Sequence, residues 1–320
     1  MPHRPAWFRD DAVYVSYAPT VGINKDGEDL FVINAETGTR TDVIDNLVRR
    51  DIDALLAGEK STATSTWAKG ASISDQFVGV PVYFDQRPLG HLEELLLEPD
   101  MKGFGSRTLK ELIDAGWVEF RTGHGSPSSD LREGTVPYIK VSDLRAGQVN
   151  INPTNRVSDP IARHFWKGTD SGLKEYDLLT PIRTSKNIGD FAVLMPGQEN
   201  VVLTKEILVL RASASAPFDT FYLLWALSLR AVRRQWDRIV FMQTNREDVG
   251  TRYNEIRLPI APDAKTATSV SAPMRDYYQG VTLLRENYLE YLRRDDRHHI
   301  FMSTASDAIT DIEDQLAGEE

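Results

Sequence analysis

The sequence predicts an α+β fold, a β-rich body closed at its C-terminal end by one long helix. Short strand-like runs follow one another through residues 77–262 without the strand–helix alternation of a parallel sheet. A stripe of Met274, Tyr277, Tyr278, Val281, Leu284, Tyr288, Tyr291 and Leu292 recurs at helical spacing over about five turns. The 320 residues, 41% hydrophobic and 26% charged, supply a core for one large domain or two smaller ones.

The elements follow in order. Ala12-Val13-Tyr14-Val15-Ser16-Tyr17 reads as a strand, and the turn-rich stretch to Gly27 leads to a second, Leu30-Phe31-Val32-Ile33. Val43, Ile44, Leu47, Val48, Ile52, Leu55 and Leu56 are spaced for a short helix, which ends a first segment at residue 57. Residues 58–76 are small and polar, a linker. Val78, Val80, Val82 and Phe84 alternate as a half-buried strand does and open a body over 77–262. Leu109, Leu112 and Ile113 mark a short helix ending at Gly116. Further strands are expected at 117–120, 136–141, 149–151, 178–182, 191–194 and 206–210. Phe221, Trp225, Val232, Trp236 and Ile239 share one face of a helix capped by Asp219. After the proline-limited strand 256–262, residues 263–320 carry the striped helix and an acidic tail.

Composition removes whole classes of function. With no cysteine there is no disulfide scaffold, thiol catalysis or thiolate zinc site. No apolar run approaches the roughly 18 residues of a membrane span, and the opening MPHRPAWFRDD lacks the apolar core of a secretory signal, so a cytoplasmic protein is expected. The six histidines form no metal-binding motif, and no nucleophile elbow or Walker loop is present. The net charge of −10 argues against indiscriminate nucleic-acid binding. Its distribution is uneven: −8 over residues 1–100, +4 over 101–260 and −6 over 261–320. The middle alone suits a polyanion; the flanks suit solvent or a protein.

Within that middle, three loops hold side chains that suit phosphates or base edges. The first offers Thr122, His124, Ser126 and Ser128 among glycines, and it reads equally as a plain surface loop. The second, Arg183-Thr184-Ser185-Lys186-Asn187, has two bases, two hydroxyls and an amide. The third carries Gln243, Thr244, Asn245, Arg246 and Arg252. Lys140 and the helix arginines Arg230, Arg233, Arg234 and Arg238 add charge, although an arginine-rich helix face is commonly just solvated. The tyrosine stripe has two readings: it packs on its own domain, or Tyr277, Tyr278, Leu284, Tyr288 and Tyr291 dock a partner helix.

At Gly134-Thr135-Val136-Pro137-Tyr138-Ile139-Lys140-Val141-Ser142-Asp143-Leu144 the chain resembles the opening of a target-recognition domain. Such domains occur in type I restriction-modification specificity subunits and in the C-terminal part of adenine-N6 DNA methyltransferases. Glu175–Leu179, the glycine turn Asn187-Ile188-Gly189-Asp190, Leu203–Leu210, Asp219–Leu224 and Thr251–Pro262 follow in the family's order, so the resemblance covers roughly 108–294. Tyr14–Gly27 and Asp45-Asn46-Leu47 are similar to the closing strands of an adenine-N6 methyltransferase domain. The Asn/Asp-Pro-Pro-aromatic motif for the flipped adenine and the Phe-x-Gly-x-Gly donor turn are absent from the sequence.

The resemblance implies a methyltransferase remnant or partner-docking segment (1–57), a DNA-reading body and a spacer helix. It implies a non-catalytic specificity subunit that binds double-stranded DNA beside an adenine-N6 methyltransferase subunit, in restriction-modification or phage defence. S-adenosylmethionine is then expected in the partner, with no cofactor or metal in this chain. A restriction or translocase subunit and a second copy of the chain are further partners it implies. The competing readings are an enzyme in its own right (a nuclease or a minimal methyltransferase) and an acidic protein-only adaptor or DNA-mimicking inhibitor.

Overall fold

The computed structural model describes residues 11–69, 79–127, 134–151, 153–183, 185–243 and 246–294. The fold is α+β and divides into two compact units. One runs from the N-terminus to Gly90 and includes Asp237–Ile239; the other comprises His91–Trp236 and the chain from Val240 onward.

The first unit contains strands β1 (Ala12–Ser16), β2 (Phe31–Ile33) and β3 (Arg40–Ile44), helix α1 (Leu47–Leu56) and strand β4 (Ser65–Lys69). β1 pairs antiparallel with β4, Ala12 opposite Lys69, and β2 pairs with β3. Residues 65–69, expected in a linker, are therefore a strand. The reason lies in a tertiary contact: Asp51 of α1, fully buried, accepts from the hydroxyls of Ser16 (2.7 Å), Thr62 (2.5 Å) and Thr64 (2.9 Å). Polar residues that look like linker are satisfied around one carboxylate. The helix expected from residue 43 begins only at Leu47, where the Asn46 side chain accepts from the Arg49 amide (2.8 Å).

The strand expected over 78–84 is instead a 3₁₀ turn, Pro81–Phe84. Pro81 has no N–H to offer a ladder and its fixed φ suits a helical first turn. Arg238 donates to the Tyr83 carbonyl (2.8 Å) and lies over that ring. Helix α2 (Arg87–Leu96) follows.

In the second unit come β5 (Gly105–Thr108), α3 (Leu109–Asp114), β6 (Val118–Thr122), β7 (Val136–Ile139), β8 (Leu144–Arg145), β9 (Gln148–Val149), β10 (Arg156–Val157) and α4 (Asp159–Trp166). Then follow β11 (Leu178–Pro181), β12 (Ala192–Val193), β13 (Val202–Leu203), β14 (Ile207–Ala212), α5 (Thr220–Ser228), α6 (Arg230–Ile239), β15 (Phe241–Gln243), β16 (Arg246–Asp248), β17 (Arg257–Ile260) and α7 (Ala264–Arg294). Six strands form one sheet in the order β6-β14-β11-β12-β9-β8, and β10-β7-β13 form a second. Leu179, Leu194, Leu203, Ile207 and Val209 centre the main core, and Val136, Tyr138, Val157 and Val202 a satellite.

Thr108 starts α3 with a reciprocal cap: its hydroxyl accepts from the Glu111 amide, and the Glu111 carboxylate accepts from the Thr108 amide. The Asp219 carboxylate accepts from the Tyr222 amide (2.9 Å), so that expected cap is where the sequence places it. The helix it begins is two helices, however. Leu229, at ψ 135°, leaves the helical region between α5 and α6. α5 is apolar all round and buried, whereas α6 buries Val232, Gln235, Trp236 and Ile239 and keeps a polar flank. α7 packs on α5, with Ala267, Ser271 and Tyr278 buried in the contact half of its length.

Candidate nucleic-acid interface

Strand register brings the expected loops together. Leu208 of β14 stands opposite Thr122 of β6, and its neighbour Ile207 stands opposite Pro181 of β11. All three strands therefore meet one end of the sheet in adjacent rows. Backbone bonds then carry the chain beyond that end: the Gly123 amide donates to the Ile207 carbonyl (2.8 Å), Ile182 to Glu206 (2.9 Å), and Val249 to Ile182 (3.1 Å). The loop after Thr122, the segment after Pro181, the β13–β14 turn and the base of the β15–β16 hairpin are thus neighbours. Gly123 fits only as glycine, because a Cβ there would overlap the Thr204 carbonyl.

The chemistry at this end is cationic and rich in hydroxyls. Arg183 and Lys186 are exposed. The Ser185 hydroxyl accepts from the Asn187 amide (3.1 Å), which shapes the turn. Gly189, at φ +84°, donates to the buried Thr180 hydroxyl (3.0 Å) and lies against the Trp236 indole. Arg233 holds Asp190 at 2.7 Å and Arg234 approaches His91 at 3.4 Å, so these two arginines brace loop and helix. Thr122 is exposed, Ser126 shares a hydrogen bond with Thr204 (3.1 Å), and half-buried Lys140 follows β7 one residue beyond its pairing with β13. Lys205, exposed in the β13–β14 turn, belongs to the same end and was not among the expected contacts. The three-residue gap between two apolar strand runs was the available signal, since so short a polar connection holds Lys205 at the strand ends.

Several of the expected contact residues have partners inside the fold. His124 is a clamp: Nδ1 accepts from the Leu203 amide (2.9 Å) and Nε2 donates to the Ser171 carbonyl (2.8 Å). Both nitrogens are committed within the fold, and burial pushes the ring down to about 4. Arg252 is buried, its guanidinium 4.0 Å from the centre of the Phe241 ring. Tyr278 is buried too, with its hydroxyl donating to the Gly147 carbonyl (2.9 Å), so it packs α7 on its own unit. Ser128, Thr184, Thr244 and Asn245 lie outside the described residues; Gln243 and Arg246 pair in the β15–β16 hairpin, where the sequence predicts a polar loop.

On α7, Tyr277, Leu284, Tyr288 and Tyr291 are exposed. Leu284 and Tyr288, with Val281 and Arg285, form one wall of a groove of about 690 Å³ whose other wall includes Arg145, Val149 and Met195. Among the described residues no three His, Asp or Glu side chains converge as a metal site requires, and no helix is long and apolar enough to cross a membrane.

No family model and no curated protein matches the chain. Solved structures similar to it include the type I restriction-modification S subunit from M. genitalium, at 11% identity and TM-score 0.40 over 62% of this chain and 46% of that one. The HsdS subunit from Thermoanaerobacter tengcongensis matches at 16% identity and TM-score 0.36, over 63% of this chain and 44% of that one. The type IIG restriction endonuclease BpuSI matches at 11% identity and TM-score 0.42, over 71% of this chain and 33% of that one. The chain spans less than half the length of each.

Proposed function

We propose that the chain is the sequence-reading DNA-binding subunit of an adenine-N6 methyltransferase complex of the restriction-modification or phage-defence kind, and that a partner performs the reaction. The observation that carries this reading is the convergence of the Thr122, Arg183–Asn187 and β15–β16 segments on one end of the six-stranded sheet. That end lies in the one net-positive stretch of the sequence. A rigid sheet edge presenting loop side chains is the geometry needed to read base edges while lysines and arginines hold phosphates. S-adenosylmethionine and the pocket for a flipped adenine belong to the methyltransferase partner, which also completes the electropositive clamp that a chain of net charge −10 lacks. A restriction or translocase subunit and a second copy of this chain are further candidates for the assembly, and cytoplasm is the compartment that fits it.

The test is DNA binding by the chain with its cognate methyltransferase, measured by anisotropy on duplexes over a salt series. Arg183→Ala with Lys186→Ala should weaken binding and lower the salt slope by about two, one per lost phosphate contact, with assembly intact. An unchanged affinity and slope in that double variant would remove the basis of the proposal.

A further inference from the structure

The first unit carries a surface that DNA reading does not use. β2 and β3 form a sheet of two strands, and among the described residues each has one edge without a neighbour. Phe31 stands opposite Ile44 and Ile33 opposite Arg40, so Ile33 and Ile44 share one face, with Val32 and Val43 on the other. Ile33, Val43 and Ile44 are 58%, 62% and 48% exposed. A lone hairpin is marginal in water, and branched apolar side chains beside open strand edges invite pairing with another chain.

The hairpin is nonetheless well made. Asn34 caps its turn, its side chain accepting from the Glu36 (2.9 Å) and Thr37 (3.2 Å) amides, and the Thr41 hydroxyl donates to the Val32 carbonyl (2.9 Å). A preorganised edge of this kind loses little entropy when a strand adds to it.

Charge decides what covers it. Residues 22–46 hold Asp26, Glu28, Asp29, Glu36, Asp42 and Asp45 against Lys25 and Arg40, and Arg40 lies over the Phe31 ring at 3.6 Å. An acidic rim repels nucleic acid, and pairing with the same hairpin of a second copy would set six carboxylates against six. The complementary occupant is a different protein, with branched apolar side chains ringed by lysines and arginines.

We propose that the β2–β3 hairpin is the docking edge for the methyltransferase subunit, whose contact face is apolar with a basic rim. This rests on the reading of the chain as a specificity subunit. The test mixes the purified full-length chain with its cognate methyltransferase subunit and measures the dissociation constant by interferometry, with native mass spectrometry for stoichiometry. Ile33→Thr with Val43→Thr keeps strand propensity while removing apolar surface; it should weaken assembly about tenfold or more. Glu36→Lys with Asp42→Lys, which leaves the apolar residues in place, should weaken it independently, and DNA binding by the chain alone should be unaffected by the threonine pair. Wild-type assembly that both pairs leave unchanged overturns the hairpin assignment and spares the functional reading. Failure of the wild-type chain to bind the methyltransferase at all overturns the partner reading, and this assignment with it.

Discussion

Acid should loosen the second unit through a single ring. The Nδ1 of His124 accepts from the Leu203 amide and its Nε2 donates to the Ser171 carbonyl, so the neutral tautomer is fixed. A proton on Nδ1 would point at a backbone N–H. Burial, aided by the nearby Arg121 charge and opposed by the Ser171 carbonyl, holds the ring at about 4 against 6.5 when free. Between those two values the unfolded chain binds a proton that the folded chain does not, so stability falls as the pH falls through that window and is fully present above it. The gap corresponds to about 3 kcal/mol, and partial exposure of the ring reduces this to about 2 kcal/mol. Urea unfolding followed by tryptophan fluorescence at several pH values between 7 and 4.5 measures it. Wild type should lose about 2 kcal/mol more over that range than His124→Gln, whose side chain does not titrate. Carboxylates common to both cancel in the comparison. Parallel pH profiles for the two proteins would refute the clamp.

Three further expectations separate the mounting of the loops from their chemistry. Gly189→Ala places a methyl group 2.5 Å from Trp236 Cγ at φ +84°; strain and overpacking together should cost about 2–4 kcal/mol in chemical unfolding. Asp177, buried at the opposite end of the sheet, takes two bonds from Arg211 at 2.7 and 2.6 Å. Asp177→Ala should cost about 1–3 kcal/mol of stability, because Arg211 then keeps only the Gly172 carbonyl and Glu119 at 3.7 Å, while DNA affinity per folded molecule, by titration of bound duplex, stays as in wild type. Burial raises the Asp51 carboxyl, but the Thr62, Ser16 and Thr64 hydroxyls and Arg50 outweigh it and hold the group below its usual range. Its contribution is therefore present above the unfolded value of 3.8 and lost as the pH drops through the lower folded one. Asp51→Asn should remove about 1–3 kcal/mol at neutral pH, read as faster hydrogen exchange in β1 and β4.

What the sequence revealed depended on how local the cause was. The Asp219 cap, the helix at Leu109 and the apolar runs of β6, β11 and β14 are decided by neighbours along the chain, and they lie where expected. β4 escaped because the polar residues that lead into it, Thr62 and Thr64, are satisfied by Asp51, and Ser65 accepts from the Tyr14 hydroxyl, partners met only after folding. α4 was missed although its start carries a signal: Ser158 and Asp159 precede Pro160 at the first turn. The candidate loops were chosen by residue type, which finds Arg183 and Lys186 but does not distinguish exposed groups from Arg252, His124 and Tyr278, whose partners come from distant segments. Their convergence on one end is a matter of strand register, to which spacing along the chain is blind.

The bonds anchoring that end of the sheet run between main-chain atoms: Gly123 to Ile207, Ile182 to Glu206, Val249 to Ile182. Replacing the side chains at the loop tips leaves every one of those anchors in place. Retargeting then becomes a cassette problem, in which a library varied at residues 183–187 and 243–246, with Gly123 and Gly189 kept, samples new DNA preferences on an unchanged scaffold.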